Sequence, residues 1–269
     1  MTSIDQPLLL ESKCINDDWT VFPAWLPIPA MGALAVNSFL LKGREPLLVD
    51  TGLGALGQRF IAALENEIDL SDLRWIWLSH MDADHIGNLV RVLEGAPTAR
   101  VVTNFVGMGK MNLAGLDISR VHVLEPGAVL EVGEHRLRPL RPPYYDAPET
   151  MGFLDETSGI VFAADCFGAL LPEMVEELGD VAGETLRDGL LGWSSIDAPW
   201  LAMTDQAALA RSLNAMERLA PDVLLSSHLP LASNGIAALA GILAEAYCHG
   251  SGRASDPLSL ESVAATLSR

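Results

Sequence analysis

The segment that most restricts what this chain can become is Ser79-His80-Met81-Asp82-Ala83-Asp84-His85-Ile86-Gly87-Asn88. It follows an apolar run, LRWIWLS from Leu73 to Ser79, that reads as a buried strand ending at His80. Four side chains with metal-ligating chemistry, His80, Asp82, Asp84 and His85, lie within six positions. In an irregular turn, residues 80, 82 and 84 point differently from 85, so one segment can feed two adjacent metals. A lone His-x-Asp reads as a solvated loop with capping aspartates. The full His-x-Asp-x-Asp-His word at the end of an apolar strand reads as a metal site.

Around this word the chain alternates short strands and helices. Leu34–Leu41 (LAVNSFLL) and Pro46–Val49 read as strands joined by a turn at Lys42-Gly43-Arg44, and the second runs into Asp50-Thr51-Gly52. Helical spacing over 55–67 puts Phe60, Ile61 and Leu64 on one face, and a helix from about His85 carries Leu89, Val90 and Leu93. Further strands are expected at Arg100–Thr103, Val129–Val132, Arg136–Leu140 and Gly159–Ala163. Thr204 is the expected cap of a helix over 205–220, with Leu209, Leu213, Met216 and Leu219 inward. Val223–Ser226 is a strand that delivers His228, and helices over 235–247 and 257–267 close the chain. The acidic stretch 171–203, with Trp193 and Trp200, reads as a helical excursion over the site, a lid or a contact surface. No linker or repeat divides residues 1–269, so a single domain is expected. Short strands in both halves fit an α/β fold of two mixed sheets packed face to face with helices outside, rather than a doubly wound parallel sheet.

Composition narrows the partners. The net charge of −18, from 35 acidic and 17 basic residues, disfavours nucleic acid and anionic membrane surfaces. Small molecules, gases and metal cations remain. Cys14, Cys166 and Cys248 are few and scattered, so neither a disulfide framework nor a CxxC metal or redox motif is expected. Met1–Gln6 lacks the basic start of a signal peptide, and no apolar run approaches about 18 residues, so a cytoplasmic protein is expected.

The metal word resembles that of the metallo-β-lactamase superfamily, and other segments agree in order. Asp50-Thr51-Gly52 is similar to the family's Asp-Thr-Gly turn, whose Asp holds the metal loop rather than the metal. Ala164-Asp165-Cys166-Phe167-Gly168 resembles the segment that supplies a bridging carboxylate, and Ser227-His228-Leu229-Pro230 the late histidine segment. The resemblance implies the superfamily's αββα sandwich. The usual hydrolase has histidine at the third motif position, where this chain has Asp82. A carboxylate there resembles the flavodiiron proteins, which reduce O2 or NO, and flavin-free oxygen-binding diiron relatives. Tyr145-Asp146-Ala147-Pro148-Glu149-Thr150-Met151 resembles a flavodiiron segment but carries Asp146 where that family has histidine. The resemblance implies His80, Asp82 and Asp146 on one metal, Asp84, His85 and His228 on the other, and Asp165 between them, with the metals about 3.5–4 Å apart. For Asp146 the alternative is a turn cap or a contact through water.

Four carboxylates balance two dications, and such oxygen-rich sets suit iron or manganese better than zinc. Neutralised ions are weaker Lewis acids, which disfavours a hydroxide nucleophile and favours oxidation of ferrous iron. The chain runs about 40 residues beyond His228, too few for a flavodoxin domain, so no FMN is expected in it and an external electron donor is. Three functions follow: a diiron protein that binds or reduces O2 or NO, serving as an oxygen or redox sensor; a metal-dependent hydrolase of an ester, thioester or lactone, with zinc; or a degenerate, non-catalytic interaction module. A homodimer through 171–203 is expected. Tyr145 is a candidate catalytic hydrogen-bond donor and Tyr144 a candidate pocket residue, packing being the alternative for both. Trp193 and Trp200 roof the site or pack in the core. Cys166 reads as a buried filler, and His122, His135 and His249 as surface residues.

Overall fold

A computed structural model describes residues 5–248, except Pro126 and Asn234. Among these residues the α-helices are α1 (Gly57–Glu65), α2 (Ala83–Ile86), α3 (Leu89–Gly95), α4 (Phe105–Leu113), α5 (Gly183–Asp197), α6 (Gln206–Glu217) and α7 (Ile236–Leu243). Two larger sheets form the centre. One has seven strands in the spatial order Val121–Val123, Arg100–Thr103, Trp75–Trp77, Leu47–Val49, Ser38–Leu41, Trp19–Phe22, Lys13–Cys14. The other has six, in the order Leu130–Val132, His135–Leu140, Gly152–Asp155, Ile160–Phe162, Val223–Leu225, Ala232–Ser233. Both sheets are mixed: Leu47–Val49, Trp75–Trp77, Arg100–Thr103 and Val121–Val123 run parallel in the first and Ile160–Phe162 pairs in parallel with Val223–Leu225 in the second, the other pairings being antiparallel.

The two-residue period of a strand sorts the side chains into layers. Phe39, Leu41, Val49, Trp77 and Val102 meet Leu137, Phe153, Phe162 and Leu225 between the sheets. Phe153 lies at the middle of this layer, with Trp77 5.0 Å and Trp19 5.7 Å from its ring centre. The intervening Leu40, Leu48, Ile76 and Val101 face outward under α1, α3 and α4, against Phe60, Leu64, Val92 and Met111. On the opposite side Val161 and Leu224 lie under α5, α6 and α7, against Leu190, Leu213 and Leu239. The central strands, such as Ser38–Leu41, Leu47–Val49 and Ile160–Phe162, are thus buried on both faces and read as continuous apolar runs, whereas His135–Leu140 alternates, with Arg136 and Arg138 exposed. The result is the expected αββα sandwich.

The run LAVNSFLL is not one strand. Gly32–Ala35 belongs to a third, four-stranded sheet with Leu8–Leu9, Ala24–Ile28 and Leu170–Leu171, whereas Ser38–Leu41 lies in the seven-stranded sheet. Asn37 makes the break. Its amide N–H donates to the Ser227 carbonyl at 2.8 Å, and its side-chain nitrogen donates to the carbonyls of Ser226 and Leu229 at 3.1 and 2.7 Å. Apolarity alone does not show such a switch, and the switch ties the segment to the residues flanking His228.

Other boundaries also differ. The helix after His85 is two pieces, α2 and α3, and Val90 is exposed while Val92 takes the core position. Asp205, not Thr204, caps α6, its carboxylate accepting from the Ala208 N–H at 2.6 Å. The helix ends at Glu217, so Leu219 stays outside at 40% exposure. His135 is buried, not superficial: Nδ1 lies 2.8 Å from Asp155 Oδ2, which also accepts from Trp19 Nε1. His122 is half-buried edge-on to Trp75. His249 and the expected helix over 257–267 lie outside the described residues. Over 171–203 the structure has α5 and two 3₁₀ turns, Leu178–Asp180 and Pro199–Met203. No helix among the described residues is long and apolar enough to cross a membrane.

Candidate metal centre

All the candidate ligands lie at one end of the sandwich, on loops that leave strand ends. His80 follows Trp75–Trp77 and Leu78-Ser79, and Asp82 precedes α2, whose first turn carries Asp84 and His85. Two neighbouring backbones hold this loop tightly. A Cβ on Gly87 would collide with the Gly54 nitrogen and the Gly52 oxygen, so only glycine fits there. Asp165 sits between two residues with left-handed backbone, Ala164 at φ 49° and Phe167 at φ 69°. Such strain persists only where surrounding contacts fix it; here the Phe167 N–H donates to the Tyr144 hydroxyl at 2.7 Å and the Ser227 N–H to the Ala164 carbonyl at 2.9 Å.

Asp165 is the centre of the cluster. Its Oδ2 lies 3.3 Å from His80 Nε2 and 3.4 Å from His228 Nε2, and its Oδ1 lies 3.2 Å from His85 Nε2. Asp84 Oδ2 lies 3.5 Å from Nε2 of both His85 and His228. Asp146 Oδ2 lies 3.9 Å from His80 Nε2, and its Oδ1 accepts from the Thr150 hydroxyl at 3.2 Å. Ligand-type atoms gather within 4.8 Å of one another in three sets: His80, His85 and Asp165; Asp84, His85 and His228; His80, Asp82 and Asp146.

The second nitrogen of each imidazole is already committed. His85 Nδ1 donates to Asp50 Oδ2 at 2.9 Å and His228 Nδ1 to the Ala35 carbonyl at 2.7 Å. The Ser79 hydroxyl donates to Asp50 Oδ2 at 2.7 Å, so its lone pairs accept from His80 Nδ1 at 3.0 Å. These acceptors select the tautomer in which every Nε2 turns a lone pair toward Asp165. His80 Nε2, His85 Nε2 and Asp165 Oδ1 are buried without a hydrogen-bond partner. Orphaned polar atoms at this depth are costly, and a cation among them would satisfy all three. The residues therefore fit a metal site.

The electrostatics point the same way. Burial would raise the Asp165 carboxyl, but His80, His85 and His228 hold it well below the usual carboxylate range. Burial likewise opposes the charge on His228, yet Asp165 and Asp84 raise it to about 9. His85 is driven well above its ordinary value by Asp165, Asp84 and Asp50 against the same burial. Asp84 is lowered by His85 and His228 despite its burial. Asp146 alone of these carboxylates moves up, because burial and the neighbouring Asp165 and Asp82 outweigh His80. The field around His85 and His228 favours positive charge, proton or metal.

With this geometry the comparisons can be placed. Residues 31–228 match the metallo-beta-lactamase superfamily. The chain belongs to that superfamily. Within the superfamily it is similar to a flavo-diiron protein of Clostridium acetobutylicum, 26% identical over 134 residues that span 49% of this chain and 34% of that protein. An anaerobic nitric oxide reductase flavorubredoxin of Klebsiella pneumoniae is also 26% identical over 134 residues, spanning 49% of this chain and 28% of its own length. Rubredoxin oxygen:oxidoreductase from Desulfovibrio gigas has the same fold, with a TM-score of 0.75 at 16% identity, over 88% of this chain and 61% of that one. The aligned region thus spans about a third of the two curated relatives' length.

Asp50 holds the loop, as the superfamily's Asp-Thr-Gly turn implies, accepting from the Ser79 amide at 2.8 Å, from its hydroxyl and from His85. The Tyr145 ring has Arg141 4.6 Å above it and Trp200 5.6 Å away. Trp193 does reach the site, its ring centre 5.0 Å from that of His228. Cys166 is a buried thiol pushed well up by burial. One residue near the cluster carried no motif, Asp197 at the end of α5. Nothing in its neighbourhood distinguishes it in sequence from Glu184 or Asp188.

Proposed function

We propose that this domain holds two iron ions and binds or reduces O2 or NO, with electrons supplied by a donor outside the domain, and that it serves as an oxygen or redox sensor. The observation that carries the reading is the donor set. Four aspartates surround three imidazoles whose Nδ1 atoms are all committed to acceptors. His80, Asp82 and Asp146 would hold one ion, Asp84, His85 and His228 the other, with Asp165 between them. Carboxylate-rich donors of this kind suit iron or manganese more than zinc. The similarity to proteins named flavo-diiron and nitric oxide reductase supports the same choice. When bound, the ions supply redox equivalents and open positions for a small gas.

The chain's own residues determine how that chemistry is framed. Asp50, Ser79 and the Ala35 carbonyl fix the imidazoles. Asp82, Asp84, Asp146 and Asp165 would neutralise two bound dications, which would favour oxidation of the reduced ions over activation of water. Trp193 lies against His228. Pairing of two chains through the 171–203 segment belongs to the proposal, supported by Ile196 and Met203, exposed at 51% and 86%. Elemental analysis of protein produced in iron-supplemented medium tests the reading: two irons per chain are expected, and tightly held zinc under those conditions overturns it.

A further inference from the structure

A cleft of about 530 Å³ opens between α1 and α3, beside the metal loop, and Gln6, Gly54, Gly57, Gln58, Arg59 and Arg91 are among the residues that line it. No acidic residue lines it, in a chain with 35 acidic and 17 basic residues. Other arginines are committed within the fold: Arg74 and Arg120 donate to backbone carbonyls, and Arg136, Arg138 and Arg187 pair with glutamates. Among the described residues Arg59 forms no side-chain hydrogen bond or ion pair, and Arg91 forms one, donating from Nη1 to Asn88 Oδ1 at 3.3 Å. That bond holds Arg91 in place, because Asn88 is buried and fixed by its own donations to the Thr51 and Leu53 carbonyls at 2.8 and 3.0 Å. A Cβ on Gly57 would lie 3.0 Å from Arg91 Nη1 and 3.1 Å from its Cζ. The guanidinium therefore rests on bare glycine backbone, in space that another residue's side chain would take.

Chemistry restricts the occupant. Guanidinium groups stay charged at every physiological pH, and their forked donors match the oxygens of carboxylates and phosphates. A phosphate monoester offers three terminal oxygens and up to two charges, enough for two forks at once, whereas a carboxylate suits one. The cleft has the size of a small-molecule pocket, about 300–1,000 Å³, and is larger than a bare phosphate fills. We propose that it binds a phosphorylated small molecule, with the phosphate between Arg59 and Arg91 and the rest of the molecule along the cleft. The site touches the metal loop through Asn88 and Thr51. Thr51 accepts from Asn88 and reaches the His85 carbonyl with both its amide and its hydroxyl, at 2.6 and 2.9 Å. An occupant held by Arg91 thus braces the backbone of a candidate metal ligand. The phosphate site itself is independent of which metal the centre holds.

Phenyl phosphate is the probe, titrated into the full chain by calorimetry, with benzoate as the carboxylate counterpart. Saturable binding of phenyl phosphate with Kd of about 1 mM or tighter is expected, and benzoate should bind about tenfold more weakly or not at all. Loss of a charge-assisted contact predicts that Arg59→Gln and Arg91→Gln each weaken phenyl phosphate about tenfold or more. Two further variants separate a built site from simple attraction to positive charge. Arg91→Lys keeps the charge but loses the fork, and Gly57→Ala keeps both arginines but fills the space under one of them. Both should weaken binding about threefold or more. Phosphate held by bound metal ions would keep its affinity in all four variants, and far-ultraviolet circular dichroism checks that each variant folds. Four results overturn the proposal: no saturable binding by the parent at about 20 mM; affinity within about twofold of the parent in either arginine-to-glutamine variant; parent affinity in both Arg91→Lys and Gly57→Ala; or benzoate binding as tightly as phenyl phosphate.

Discussion

Substituting Asp50 separates loop support from metal ligation. Its carboxylate is buried and accepts three hydrogen bonds, from the Ser79 amide at 2.8 Å, the Ser79 hydroxyl at 2.7 Å and His85 Nδ1 at 2.9 Å. Asp50 also holds a left-handed backbone, φ 56°, which asparagine tolerates and alanine does not. Asp50→Asn is therefore the cleaner variant. Hydrogen bonds to a charged acceptor contribute about 1.5–3 kcal/mol each. They share one carboxylate and do not add, and the amide oxygen still accepts from Ser79. The expected cost to the metal-free protein is about 2–4 kcal/mol, read from the midpoint of urea unfolding. The amide NH2 can only donate to His85 Nδ1, so the ring must move its proton to Nε2 and lose the lone pair turned toward Asp165. Losing a partner behind a ligating histidine weakens metal binding about 10–100-fold. Competition with a chelator, read by elemental analysis, measures this directly. A variant destabilised as stated but with metal affinity within twofold of the parent would refute the reasoning, leaving Asp50 a purely structural residue.

Other outcomes follow from the same cluster. Asp146→His replaces one anionic donor by an imidazole and should raise the zinc-to-iron ratio retained from mixed-metal solution; an unchanged ratio removes the support for Asp146 as a ligand. In the metal-free protein His228, raised to about 9 from 6.5, contributes stability that is complete below about pH 6.5 and lost as pH rises through 9. Asp165, lowered below 3.8, contributes stability that is complete above that value and lost in stronger acid. Melting temperatures of metal-free protein should therefore fall between pH 6.5 and 9, and saturating metal should flatten that limb; a metal-free protein with no alkaline loss contradicts the assignment. Ile196 and Met203, on or beside α5, should lie in a homodimer interface, and light scattering at micromolar concentration showing a monomer would count against it.

The sequence made visible whatever is written in one short segment. His80 to His85 follow an apolar strand, and Asp50, Asp165 and His228 each follow another, so hydrophobic runs locate the loops that carry chemistry. What escaped needs long-range partners. LAVNSFLL is uniformly apolar, and only the hydrogen bonds of Asn37 to Ser226, Ser227 and Leu229 divide it between two sheets. His135 looks superficial beside Glu134 and Arg136 until Asp155, twenty positions away, is packed against it. Asp205 supplanted Thr204 as a cap because its carboxylate, not the neighbouring hydroxyl, reaches the Ala208 amide. Trp193 is one aromatic among several until the fold sets α5 against His228.

The central claim is that a neutralised, carboxylate-rich pair of irons reacts with a small gas rather than activating water. The most direct measurement is O2 uptake by anaerobically reduced, iron-loaded protein, with the absorption spectrum recorded before and after admission of air. The account predicts O2 consumption in proportion to iron, with new near-ultraviolet and visible absorption, and slower uptake in Asp82→His, which removes one negative charge. Iron-loaded protein that consumes no O2 and leaves its spectrum unchanged, while hydrolysing thioesters or lactones above about 1 per second, would contradict it.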